Sequence, residues 1–342
     1  MKGAVGWSEC QDKNEWDDFV TNNGGSAYHL WAWREVLEED DHKPLYLVYR
    51  RPDGKITAAC PFFRRAGRHL QYLESLPDSD AAGPVTSGSD HDLSEIVSTL
   101  PKSVEFTLSH PIVAMRIKAY QEPLVSRMKA LGFQSIQTSE IFDLDLWNRS
   151  PEHIWNNGFD KHDRQAVKYY EQRASFSFTE DESDYLALER PDWSYYQGRL
   201  FRPGFIPKMK EKLGERLKVA MVVASGGATL AGFLMLIDPP NNAGSRVHLL
   251  AVRHSAPKNI HSAVTFLNWK AISWANANGI RYVDFGAYSR NSSSDPLHAF
   301  HRLKERFEIT PVPRYEFTLP TSDVTYSIAR RINRITKPQD LR

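Results

Sequence analysis

The sequence predicts an α/β protein with mixed sheets, in two domains. The first observation behind this is length: 342 residues is long for a single domain, and about 150 residues per domain suggests two. The second is the stretch from Arg246 to Phe307, which reads strand, loop, amphipathic helix, strand, polar loop, helix. The third is that both halves share one order of helices, hairpin, strand, helix and strand. That order suggests a structural duplication, although no clear sequence repeat accompanies it. The expected domains are 1–149 and 150–320, followed by a basic tail over 321–342.

In the first half, Asn14 to Val20 reads as a short helix with Trp16, Phe19 and Val20 on one face. SAYHLWAWREVLEEDDH reads as one continuous second helix, stopped before Pro44. PLYLVYRR and KITAACPFFRR flank Pro52-Asp53-Gly54, a strong hairpin signal. HLQYLESLP and SVEFTLSH are further strands, with a small, polar loop (PDSDAAGPVTSGSD) and a helix from Leu93 to Leu100 between them. Pro123 to Leu131 is a helix closed by Gly132, and SEIFDLDL alternates as a strand.

In the second half, Ile154 to Glu171 reads as one strongly charged helix. ASFSFTE is a strand, and Ser183 to Trp193 and Phe205 to Leu213 are helices. LKVAMVVASGGATLAGFLMLID is a hairpin around Gly226-Gly227. RVHLLAVR has few polar breaks, as in a strand covered on both faces. Ser262 is the expected N-cap of the next helix. Val264, Phe266, Leu267, Ala271, Ile272 and Trp274 recur at helical spacing, and Gly279 ends it. Ile280 to Phe285 is the following strand. Such a unit aims loop and helix N–H groups at one spot, which favours an anion such as a pyrophosphate.

Composition narrows the function classes. A formal net charge of +1 gives no support to general nucleic-acid binding, and no DNA partner is expected. Two cysteines, Cys10 and Cys60, make no disulfide framework. The histidines lack HxxxH or HExxH spacing, so no metal site is expected. GxSxG is absent, which removes a hydrolase serine. No stretch approaches the ~20 apolar residues of a membrane span, and the start lacks a signal-peptide core. A cytoplasmic protein is expected.

Several segments carry a family resemblance: SAYHLWAWREVL, ITAACPFFRR with LQYLESLPDSDAAGP, GFDKHDRQAVKYYEQ, LNWKAISWANANGIRYVDFGAYS and LHAFHRLKERF. In this order and spacing the chain resembles the FemAB-like branch of the GNAT acyltransferase superfamily. That branch includes aminoacyltransferases that build peptidoglycan cross-bridges in the cell wall, as well as acetyltransferase-like proteins. The resemblance implies tandem GNAT-like domains with the donor site in the second. It also implies transfer of an acyl or aminoacyl group to a primary amine of a small molecule or peptide. Acyl-CoA is the expected co-substrate, with nothing bound permanently. Pro257 and Lys258 stand where acetyl-CoA-binding GNAT enzymes carry paired glycines.

On this reading Lys304, in HRLKERF, steadies negative charge in the transition state. Asp284 acts as base or orients the amine, and Tyr288 donates a proton to the leaving group. The donor lies on Leu250, Ala251, Val252 and Arg253, with Lys258, Asn259 and Ser262 beside it. One backbone N–H of that strand serves the oxyanion. His29, Arg34, Lys161 and Arg164 clamp a phosphorylated acceptor. Each residue also has a plainer reading, as a solvated, capping or ion-paired side chain. With no nucleophilic Cys or Ser in evidence, transfer is direct, in a ternary complex. Two alternatives stay open. One is an aminoacyl-tRNA-dependent transferase acting on a cell-wall precursor; the other is a non-catalytic binding protein on the same fold.

Overall fold

The computed structural model describes residues 6–38, 42–66, 71–77, 79, 83–87, 98–100, 112–119, 124–131, 133–188, 204–240, 245–255, 260–288, 309 and 312–320. The chain divides into two compact units, residues 1–138 with 313–342, and residues 139–312. The division therefore differs from the expected break after residue 149. Glu140 to Asp145 already pair with a strand of the second unit, whereas Tyr315 to Pro320 pair with a strand of the first.

The first unit opens with β1 (Gly6–Glu9) and α1 (Lys13–Asn22). Asp12 caps α1 by accepting from the N–H groups of Asn14 and Glu15. The expected helix over 26–42 is interrupted. A 3-10 turn, Ala27–His29, is followed by extended Leu30 and then α2 (Trp31–Leu37). Trp16 Nε1–H donates to the His29 carbonyl at 2.6 Å, and the Trp31 N–H donates to the Asp17 carboxylate at 2.7 Å. These tertiary partners replace the backbone pairs of a continuous helix.

The hairpin strands are β2 (His42–Arg50) and β3 (Ile56–Ala66), turned at Gly54 with φ +83°. They are followed by β4 (Gln71–Ser75), β5 (Val85–Thr86), β6 (Ile112–Ala119) and α3 (Leu124–Ala130). The sheet runs β1-β2-β3-β4-β6 and then the final strand Val312–Pro320, with β5 on β3. β4 and β6 are parallel. Leu45, Leu47, Cys60, Phe62, Met115, Ile117 and Phe317 form its core with Val125 and Met128 of α3. β6 and the final strand are elements beyond those expected from sequence. The expected strand SVEFTLSH lies outside the described residues, as do Leu93 to Val97.

The second unit takes the C-terminal half of β7 (Gln134–Asp145). The helix expected over 154–171 is two pieces. Pro151–His153 runs into a π turn, Ile154–Gly158, and α4 (Lys161–Glu171) starts afresh after Asp160. Asp160 and Asp163 form a reciprocal capping box, a strong start signal inside the periodic run. Then follow β8 (Ala174–Thr179), α5 (Ser183–Ala187), α6 (Phe205–Leu213), β9 (Leu217–Ala224), β10 (Thr229–Ile237), β11 (Arg246–His254), α7 (Ile260–Ala277) and β12 (Tyr282–Tyr288). The final strand, Val312–Pro320, is β13. Strand order in this unit is β7-β12-β11-β10-β9-β8, with β11 and β12 parallel and the other neighbours antiparallel.

α7 ends as expected. Gly279 adopts φ +69°, Ile280 N–H reaches the Ala275 carbonyl at 2.9 Å, and Gly279 N–H reaches Asn276 at 3.1 Å. Its start differs from expectation: the helix already holds Ile260, so Ser262 sits in the first turn and not at the cap. Leu144, Val247, Leu249, Val283 and Phe285 pack in one core with Phe266, Leu267, Ala271 and Ile272 of α7. Strand alternation therefore turns Asp143, Arg246, His248 and Asp284 to the opposite face.

Candidate active site

β11 and β12 pair only through Arg246↔Tyr282, Val247↔Val283 and His248↔Asp284. Past that last pair both strands continue, to His254 and Tyr288, without pairing to each other. Irregularities in both strands produce the splay. On β11, Met235 of β10 faces Leu249 while Leu234 faces Ala251, which leaves Leu250 as an extra, bulged residue. On β12, the register against β7 shifts between Asp284 and Ala287, and Gly286 sits at φ +83°, a conformation that favours glycine. From Leu249 onward, β11 thus presents backbone N–H groups with no ladder partner in β12. Fixed N–H groups beside an open strand are suited to hold a developing oxyanion.

The root of the splay is a row of buried charge. His248 Nδ1 lies 2.8 Å from Asp284 Oδ2, and His248 Nε2 lies 2.9 Å from Asp238 Oδ1. Asp238, His248 and Asp284 are 5, 2 and 3% exposed. Asp284 Oδ1 also accepts the Gly286 N–H at 2.7 Å, at the residue where β12 turns away. Asp143, which faces Asp284 across the β7–β12 ladder, takes Arg246 Nη2 at 2.8 Å. Its Oδ1 is buried without a hydrogen-bond partner.

Electrostatics follow from this packing. Burial opposes a charged imidazole, but the Asp238 carboxylate and the hydrogen bonds that the ring donates to Asp238 and Asp284 outweigh it and push His248 up to about 10. Burial raises the Asp284 carboxyl too. The hydrogen bond and charge of His248, with Arg246 and the Gly286 N–H, outweigh that and hold it below the usual carboxylate range. Asp143 goes the other way: burial lifts it to about 6 against the nearby Arg246 charge, with Asp284 adding to the rise.

The expected site residues fall in several places. Leu250, Ala251 and Val252 lie on the diverging half of β11. Tyr185 Oη donates to the Ala251 carbonyl at 3.2 Å. Arg253, expected to meet the donor, is buried. Its Nη1 donates to the Leu186 and Leu188 carbonyls at 2.9 and 3.4 Å, and its guanidinium stacks 5.2 Å from the Tyr185 ring. It closes the C-terminal end of α5, whose carbonyls need donors. Asp284, expected as a base, is held in its ionised form with both oxygens accepting hydrogen bonds, which suits positioning better than proton uptake. The backbone of Tyr288 closes β12, while Lys258, Asn259 and Lys304 lie outside the described residues.

Among the expected acceptor residues, His29 and Arg34 belong to the first unit and Lys161 and Arg164 to the second. His29 Nδ1 accepts from the Ser26 N–H at 3.1 Å, and its Nε2 meets the Gly83 carbonyl at 2.9 Å. Arg34 stacks 4.2 Å over Trp31 and 5.4 Å over Tyr46. Lys161 is exposed at the start of α4. Arg164 Nη1 donates to the carbonyls of Trp155, Asn156 and Phe159, capping the π turn. His248, Asp238 and Asp143 are not among the site residues expected from sequence. A histidine in an otherwise apolar strand, next to aspartates at strand ends, is the signal that could have found them.

Solved structures with a similar fold include FemX, with a TM-score of 0.70 at 14% identity, over 95% of this chain and 99% of that one. L-PGS from Bacillus licheniformis follows the chain with a TM-score of 0.54 at 14% identity, over 98% and 99%. A tandem GNAT protein from the clavulanic acid biosynthesis pathway does so with a TM-score of 0.51 at 13% identity, over 83% and 85%. By sequence alone, the chain matches no family profile and no curated protein. Its strand splay, parallel β11–β12 pair and these similarities in three dimensions show that the chain shares the fold of these solved structures.

Proposed function

We propose that the second unit catalyses N-acyl transfer: an acyl or aminoacyl group passes from an activated thioester or ester to a primary amine. The observation that carries this reading is the splay of β11 from β12 beyond His248, with the bulge at Leu250 and α7 following. In the reaction the amine nitrogen forms a bond to the acyl carbon, the C–S or C–O bond breaks, and the amine's proton leaves to a base or water. The departing thiolate or alkoxide takes a proton. Backbone N–H groups of Leu250 to Val252 hold the oxyanion, and Lys304, carried over from the family resemblance, adds positive charge nearby. Acyl-CoA is the favoured donor, with Lys258, Asn259 and Ser262 next to its phosphates.

The second reading is an aminoacyl-tRNA donor. Pro257 and Lys258 in place of paired glycines favour it, since glycine lets backbone approach a phosphate closely. It predicts steep salt dependence.

Calorimetric titration with acetyl-CoA, free CoA and charged tRNA separates the two. Micromolar CoA binding, about −8 kcal/mol, weakened in Lys258→Ala, supports the first reading. Salt-sensitive binding of charged tRNA alone supports the second. Absence of CoA and tRNA binding and of amine acylation overturns both, and leaves a non-catalytic protein that binds a different ligand on this fold.

A further inference from the structure

Asp238, His248 and Asp284 join three neighbouring strands at one level: the end of β10, β11 and β12. An ionised carboxylate only accepts hydrogen bonds. A ring whose two nitrogens each face such an oxygen, at 2.8 and 2.9 Å, therefore has to donate from both. The pair His248↔Asp284 is also the last at which β11 and β12 remain together. From Asp284 the chain of bonds continues to the Gly286 N–H, the residue at φ +83° where β12 departs. One side chain is thus tied to both edges of the opening.

We propose that His248, donating from both ring nitrogens to Asp238 and Asp284, is a positioning residue that sets where β11 and β12 part and so holds the backbone N–H groups of Leu249 to Val252 in place for group transfer. This rests on the transferase reading for its functional meaning, but not for its geometry. Among the described residues, the charged groups around the ring are Asp238 just past β10, Asp284 from β12, Arg246 from its own strand and Asp143 from β7, the last two paired with each other. The elevated proton affinity of the ring agrees with this surrounding. A neutral ring would withdraw one of these two donors from a buried carboxylate, a costly change. A merely space-filling role would need neither aspartate.

Two measurements on the full chain decide the matter without any donor. The first is the nitrogen-15 spectrum of the histidine rings between pH 6 and 9. Expected is one ring, lost in His248→Gln, that keeps both nitrogens protonated throughout; a His248 ring that releases its proton near pH 6.5 overturns the inference. The second is amide hydrogen exchange. In His248→Gln the Gly286 and Leu249 to Val252 amides should exchange about tenfold faster than in a core control, Ile272→Val. Asp238→Asn, which keeps an oxygen to accept from Nε2, should hold most of the protection that Asp238→Leu loses. Equal protection in His248→Gln and the control overturns the positioning role. Should His248→Gln fail to fold, the Asp238 pair and the wild-type spectrum still decide. Absence of acyl transfer would remove the proposed reaction and leave these readings untouched.

Discussion

Each unit contains a parallel strand pair, and the two pairs end differently. In the first unit β4 and β6 shift register once, between Gln71 and Tyr72, then stay paired up to Glu74↔Arg116, and β4 stops one residue later. In the second, β11 and β12 part at His248↔Asp284 while both strands continue. The charge at the first ending is partly exposed: Arg116 reaches Glu316 of β13 at 3.8 Å, with side chains 32 and 27% exposed. The charge at the second is buried and bonded on both sides of the ring. Where a strand simply stops, solvent and a loose ion pair suffice. Where two strands must separate inside a packed sheet, buried groups have to fix the point of separation, because apolar contacts are not directional.

The sharpest way to break this comparison is to remove the buried cation. His248→Leu leaves Asp238 and Asp284 without their shared donor, and should cost the second unit about 3–5 kcal/mol in urea denaturation. A loss below 1 kcal/mol would mean that the row is not balanced as described.

pH probes the same site without mutation. The His248 ring rises from 6.5 to about 10 on folding. Its stabilisation is therefore complete below pH 6.5 and disappears as pH climbs towards 10, with a slope of at most about 1.4 kcal/mol per pH unit. Denaturation midpoints of the wild type should fall across that window, and those of His248→Gln should stay flatter. Asp143, raised from 3.8 to about 6, adds a smaller loss of the same sign between those values, which Asp143→Asn should remove.

Two glycines with the same φ of +83° give a matched test. Gly286→Ala and Gly54→Ala should each cost about 1–2 kcal/mol for the left-handed backbone. Only Gly286→Ala should also reduce acyl transfer, because only that turn opens the splay. Equal turnover in the two variants would separate the splay from the reaction.

The smallest effect belongs to the first unit's pair. Arg116→Ala should change stability by about 0–1 kcal/mol, as partly exposed ion pairs do. A loss comparable to that of His248→Leu would erase the contrast between the two endings.

Local signals were legible where neighbours in sequence satisfy each other. Pro52-Asp53-Gly54 and Gly226-Gly227 turn their hairpins, and Gly279 closes α7 through bonds to Ala275 and Asn276. The helical periodicity of 264–274 held because one face meets a single core. The break at Asp160 was written in its box with Asp163, but the charged periodicity around it masked the signal. β6 and β13 escaped because short apolar runs carry no period that decides between strand and helix.

What the sequence determined by itself is the set of elements around the splay, β11, α7 and β12, and hence the class of fold. Hydrophobic period and terminal residues are local properties of a chain. Which charges meet was decided only in three dimensions. Register sets His248 beside Asp284 and Asp284 beside Asp143 across residues far apart in sequence. The same holds for Arg253 and Arg164, whose guanidiniums donate to backbone carbonyls of α5 and of the π turn. An arginine carries five donors and will satisfy whichever acceptors packing brings near. Only the folded chain says which those are.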